Sequence, residues 1–159
     1  MSNAHEDFTR GLIKGKIAEI VFERMLRETN EFTVIHFGYE YIVPELVSSK
    51  EADKFTDTVE ALRTAPDFAV INKKTSKVNL IEVKYLRVRS KKRVLEYAKR
   101  MSKSWNPSYL FLASGSGFYF GKISEIIKND GVIPRLNHPQ ISKQLQEKYL
   151  RILNTSEPK

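Results

Sequence analysis

The sequence predicts a mixed α/β domain, with helices packed around a central sheet. Three observations predict it. Apolar residues recur at helical spacing in the first segment. Short runs rich in β-branched and aromatic residues alternate with further helical patterns. Polar, Gly- and Pro-containing stretches separate them. The 159 residues fit one domain, read as 5–153. Met1-Ser2-Asn3-Ala4 resembles a tag remnant, and Asn154 to Lys159 reads as a frayed end.

The elements follow in order. Leu12, Ile13, Ile17, Ile20, Val21 and Met25 give a helix over Phe8–Glu28, weakened locally by Gly11 and Gly15. Phe32 to Val43 reads as one or two strands with a bulge or turn at Gly38. Ala52, Phe55, Val59 and Leu62 form the stripe of a helix over Ser49–Thr64, with Ser48 and Glu51 at capping-box spacing. Ala65-Pro66 ends it, because proline disfavours a helical residue before it. Asp67–Asn72 and Val78–Tyr85 read as an antiparallel hairpin around a polar turn. A basic helix follows over Ser90–Ser104 and stops at Asn106-Pro107. Tyr109–Ala113 is a buried strand candidate, Ser114 to Gly117 a turn, and Phe118–Phe120 a short strand. Helices over Ser124–Asn129 and Gln140–Leu153 complete the chain.

Composition narrows the chemistry. The chain is 41% hydrophobic and 29% charged, so it can build a core. It has no cysteine, which excludes disulfides, thiolate metal sites and a cysteine nucleophile, and fits a cytoplasmic location. No apolar run approaches the roughly 20 residues of a membrane-spanning helix, and no signal-peptide core is expected. The net charge of +8 and the pI near 9.6 point to a polyanionic partner, nucleic acid first.

The chemistry concentrates in Pro66-Asp67-Phe68-Ala69-Val70-Ile71 and Leu80-Ile81-Glu82-Val83-Lys84. Side chains alternate along a strand, so Glu82 and Lys84 share a face while Ile81, Val83 and Tyr85 share the other. In a hairpin, Asp67 lies near the end of the returning strand, beside them. Carboxylates brought together repel and need compensation, which a divalent cation supplies. A cation polarises a phosphate and acidifies a water, and a neighbouring lysine steadies developing charge. The Val83 carbonyl is a candidate third ligand.

These residues resemble the signature of the PD-(D/E)XK nuclease superfamily, which includes restriction enzymes and Holliday-junction resolvases. Gly15-Lys16-Ile17-Ala18-Glu19 is similar to the first helix of the resolvase-like branch. The resemblance implies a restriction-endonuclease-like α-β-β-β-α-β core and a Mg²⁺-dependent DNA endonuclease, with Mn²⁺ able to substitute. It implies Asp67 and Glu82 as metal ligands, Lys84 as the catalytic lysine and Glu19 as an accessory ligand. Glu23, one turn on, competes with Glu19. The second helix lacks the Gln of some branches, and either Tyr97 or Lys99 faces the site instead. A catalytically silent binding module of the same fold, or an RNA-cleaving or partner-binding member, are the alternatives. A homodimer, or a subunit of a larger complex, fits the small size.

Arg87, Arg89, Lys91, Lys92 and Arg93 lie just beyond Lys84 and are expected to clamp the nucleic-acid backbone. Trp105 and Tyr109 are expected to pack rather than stack on bases. Asp53, Asp57 and Glu60 read as surface partners of Lys50 and Lys54. His36 and His138 lack partners at zinc-ligand spacing.

Overall fold

The computed structural model describes residues 4–38 and 56–156. The elements are α1 (Ala4–Glu28), β1 (Phe32–His36), α2 (Thr56–Arg63), β2 (Phe68–Asn72), β3 (Val78–Tyr85), α3 (Lys91–Ser102), β4 (Tyr109–Ser114), β5 (Gly117–Lys122), α4 (Ile123–Lys128) and α5 (Lys143–Thr155). They form an α/β domain around a five-stranded sheet ordered β1-β2-β3-β4-β5. β3 and β4 pair in parallel, and every other neighbouring pair is antiparallel. The parallel step needs a crossover, which α3 supplies.

Both faces of the sheet are covered. Ile81, Val83, Phe111 and Phe118 pack with Ala18, Val21, Phe22 and Met25 of α1 and Leu153 of α5. Leu110, Leu112 and Tyr119 pack on the other face with Val94, Ala98 and Met101 of α3 and Ile123 and Ile126 of α4. The unbroken apolar run of β4 reflects this. Alternate residues serve opposite cores, so no position on it can be polar without a partner.

Most boundaries agree with the sequence pattern, and the differences have local causes. α1 starts at Ala4, ahead of the expected Phe8, in residues that resemble a tag remnant. Glu6 and Asp7 suit the positive end of the helix dipole, and Glu6 pairs with Arg10 at 3.1 Å. α3 starts one residue late because Ser90 is its cap, its Oγ accepting from the Arg93 N–H at 3.3 Å. β5 extends past Phe120 to Lys122 because it pairs along the whole of β4. The expected turn between β2 and β3 is held by Asn72, whose Oδ1 accepts from Lys74 and Thr75. Gly131, in the left-handed region at φ +91°, lets the end of α4 sit against α3, since a Cβ there would collide with the Lys91 carbonyl. Residues 39–43 of the expected first strand region lie outside the described residues, as do the Ser48/Glu51 box, Ala52, Asp53 and Phe55.

Candidate active site

β2 and β3 run side by side from Phe68↔Ile81 to Ile71↔Val78, and before Phe68 the chain arrives from α2, outside the sheet. Asp67 stands at that junction, opposite Glu82. It is fixed twice. Its carbonyl accepts from the Phe37 and Gly38 N–H groups at 2.9 and 3.2 Å. Its Oδ2 accepts from the Val83 N–H at 2.8 Å. An extended residue points its N–H and C=O to the same edge, so the Val83 carbonyl faces the gap that Asp67 fills. Buried Thr64, Ala65 and Pro66 hold the approach to Asp67 in place.

The Asp67 carboxyl is coupled electrostatically to both Glu82 and Glu19. Its pKa is pushed up to about 8 by burial, then by hydrogen bonding to Glu82 and by that group's charge. Glu19 is raised to about 7 by burial and then by Asp67, with Lys16 at 3.3 Å acting in the opposite direction. Thus Asp67, leading into β2, is coupled to a carboxylate from β3 in one hollow and to one from α1 in the other. Glu23 is engaged elsewhere: it pairs with Arg27 and with His36, each at 2.9 Å. Of the two, Glu19 is the one coupled to Asp67, although both line the same hollow. Among the described residues no group of three or more His, Cys, Asp or Glu side chains is placed to hold a metal ion.

Two hollows meet at Asp67 and Gly38. One, about 360 Å³, lies on the α3 side and is lined by Asp67, Glu82, Lys84, Tyr97, Arg63 and Arg100 among others. The second, about 220 Å³, lies on the α1 side with Lys16, Glu19, Glu23 and His36. The Lys84 Nζ sits 5.3 Å from the centre of the Tyr97 ring, a cation–π contact that steadies the ammonium beside Glu82. Of the two α3 residues left open by the sequence, Tyr97 lines the cavity and Lys99 does not.

The side chains of the basic run are not gathered at the cavity. Arg87, Arg89, Lys91, Lys92 and Arg93 are all exposed, and none lines the cavity. Arg89 lies over the Tyr119 ring at 4.6 Å, beside the core that α3 and α4 cover. Arg93 lies over Tyr97 at 5.9 Å and so borders the cavity rim. Arg63 and Arg100 reach the cavity, although neither stands out in the sequence as a site residue. Arg100 has a signal, being one helical turn beyond Tyr97. Arg63 has none, because its place depends on how α2 docks.

The aromatic expectations hold. The Trp105 Nε1 donates to the Ala61 carbonyl at 2.6 Å and its ring meets Phe37 edge-on. Tyr109 stacks on Phe120. His138 sits edge-on to Phe32 and accepts from the Gln140 N–H. No protein-family model matches the chain, and no curated protein or solved structure matches it either.

Proposed function

We propose that the chain is a Mg²⁺-dependent nuclease that hydrolyses phosphodiester bonds in DNA. The observation that carries this reading is the placement of Asp67 where two hollows meet, with Glu82 and Lys84 lining one of them and Glu19 the other. The donors fit a hard cation. All are oxygens, and their burial and mutual repulsion favour any cation that replaces the protons they share. Mg²⁺ keeps several waters and takes substrate oxygens, so an open set suits it better than a closed cage.

Asp67 and Glu82 would hold the cation, with the Val83 carbonyl, and with Glu19 directly or through water. When bound, such an ion polarises a phosphate oxygen and makes a water easier to deprotonate. Lys84 holds its ammonium on the Glu82 side of β3, where it donates to the attacking water or to the phosphate oxygen gaining charge. The Val83 N–H keeps the Asp67 carboxylate turned toward β3. DNA is favoured over RNA by the PD-(D/E)XK resemblance.

Asp67→Ala and Glu82→Ala are expected to lower cleavage of a mixed DNA panel in Mg²⁺ at least about a hundredfold. DNA binding with Ca²⁺ in place of Mg²⁺ is expected to survive. Cleavage by both variants at the wild-type rate would overturn the proposal. Calorimetric titration separates the alternative: no uptake of Mg²⁺ or Mn²⁺, with salt-sensitive DNA binding intact, identifies a binding module.

A further inference from the structure

We infer that Arg63 and Arg100 form a subsite for a second phosphate, the one next to the phosphate being cut; the inference rests on the nuclease reading of the same cavity. Both arginines line the 360 Å³ hollow that Asp67, Glu82 and Lys84 also line. Both are exposed, and among the residues whose side chains are described neither has a carboxylate within ion-pair distance. Guanidinium groups on a cavity wall are suited to bidentate capture of a phosphate. Lys84 differs from them. Its ammonium is held over Tyr97, beside Glu82, and serves the carboxylate end. The hollow has the size of a small-ligand pocket, so it has room for a nucleotide unit beyond the reacting group.

The two arginines come from different elements, and the structure shows what sets their separation. Arg100 is on α3, whose Ala98 and Met101 are packed into the core. Arg63 ends α2, and that helix is tied to the segment after α3 by the Trp105 indole on the Ala61 carbonyl. Phe37 packs against the same indole, next to the Gly38 backbone that fixes Asp67. One aromatic thus couples the helix carrying Arg63 to the strand end carrying the carboxylates. The helix inserted between β1 and β2 thereby has a role: it brings a cation to the wall opposite α3.

The test is binding of DNA oligonucleotides by the full chain in Ca²⁺, with one linkage at a time made a neutral methylphosphonate. For the wild type, neutralising one linkage beside the cleavage position is expected to weaken binding roughly tenfold. Arg63→Gln and Arg100→Gln are each expected to weaken binding of the all-phosphate strand by a similar factor, and to be indifferent to that linkage. Trp105→Phe, which keeps an aromatic ring and drops the donor, is expected to blunt the same linkage effect while Arg100→Gln still weakens binding further. Arginine variants that bind like wild type, or that remain as sensitive to the neutral linkage, overturn the subsite. A chain that shows this arginine dependence and cleaves nothing in Mg²⁺ overturns the nuclease reading and leaves the subsite standing. Cleavage that ignores both arginines does the reverse, and failure to bind any oligonucleotide overturns both.

Discussion

At the scale of single residues, the centre of the site is a pair of carboxyls that hold their protons more tightly than free acids do. Asp67 is raised from 3.8 to about 8 by burial and by Glu82, and Glu19 from 4.5 to about 7 by burial and by Asp67. A carboxyl whose pKa is higher in the folded state holds a proton that the unfolded chain releases. Its contribution to stability is therefore complete below the unfolded value, near 4, and is lost as pH rises through about 7 to 8. The metal-free protein is expected to lose melting temperature over that window, and Asp67→Asn to flatten the loss. On the proposed reading Mg²⁺ would take the place of the protons, so the rise in Tm that it causes is expected to grow with pH over the same range. A melting profile, with and without Mg²⁺, that Asp67→Asn leaves unchanged would remove the coupling. Asp67, Glu82 and Lys84 are legible in the sequence because strand alternation and a hairpin are local rules. Arg100 is legible only as the residue one turn beyond Tyr97, and Arg63 not at all, because no local rule states how far a helix leans over a sheet.

At the scale of elements, α1 shows what helical periodicity reads and what it misses. Periodicity places a helix and an apolar stripe, and leaves Glu19 and Glu23 as rivals. The arbiter is the β1–α1 contact, where His36 and Arg27 occupy Glu23. Lys14 gives no sign of its role in the sequence, since a lysine is expected outside. It is buried, its Nζ donating to the Leu153 carbonyl at 2.5 Å, with the Tyr85 ring nearby. This clasp ties the middle of α1 to the end of α5 and so helps hold the helix that carries Glu19. Lys14→Ala removes a charge-assisted bond and buried methylenes, and is expected to lower stability by about 2 kcal/mol, read as a lower urea midpoint. A midpoint equal to wild type would mean that the clasp is not formed in solution. β4 is the opposite case. Its uninterrupted run already implies cover on both faces, and Leu110 and Leu112 are inaccessible from one side as Phe111 and Ala113 are from the other. Leu112→Ala is expected to cost about 3 kcal/mol in the same measurement.

At the scale of the whole molecule, the charge excess is divided by the fold into surfaces with different work to do. The sequence carries +8 and a dense run around α3, which makes one continuous clamp the natural expectation. Helical geometry separates that run. Arg93, Tyr97 and Arg100 recur at i, i+4 and i+7 and turn toward the cavity, whereas Lys92, Lys99 and Lys103 share the solvent-facing row. Arg89 is directed to Tyr119, away from the cavity. A polyanion drawn to the cavity would meet the outward row only as a diffuse field, with few fixed contacts. Replacing Lys92, Lys99 and Lys103 together by Gln is therefore expected to weaken DNA binding for every sequence and linkage alike. It is also expected to reduce the log–log salt slope by at most about 3, one for each phosphate no longer neutralised. The turnover rate on saturating DNA is expected to stay that of the wild type, because none of the three lines the cavity. Binding titrations across a salt series decide it. An unchanged slope would show that the outward row is a solvated face, leaving Arg63, Lys84 and Arg100 to carry the attraction. A fall in turnover rate would show instead that DNA is seated across α3, with its backbone wrapped over the helix and not held at the cavity alone.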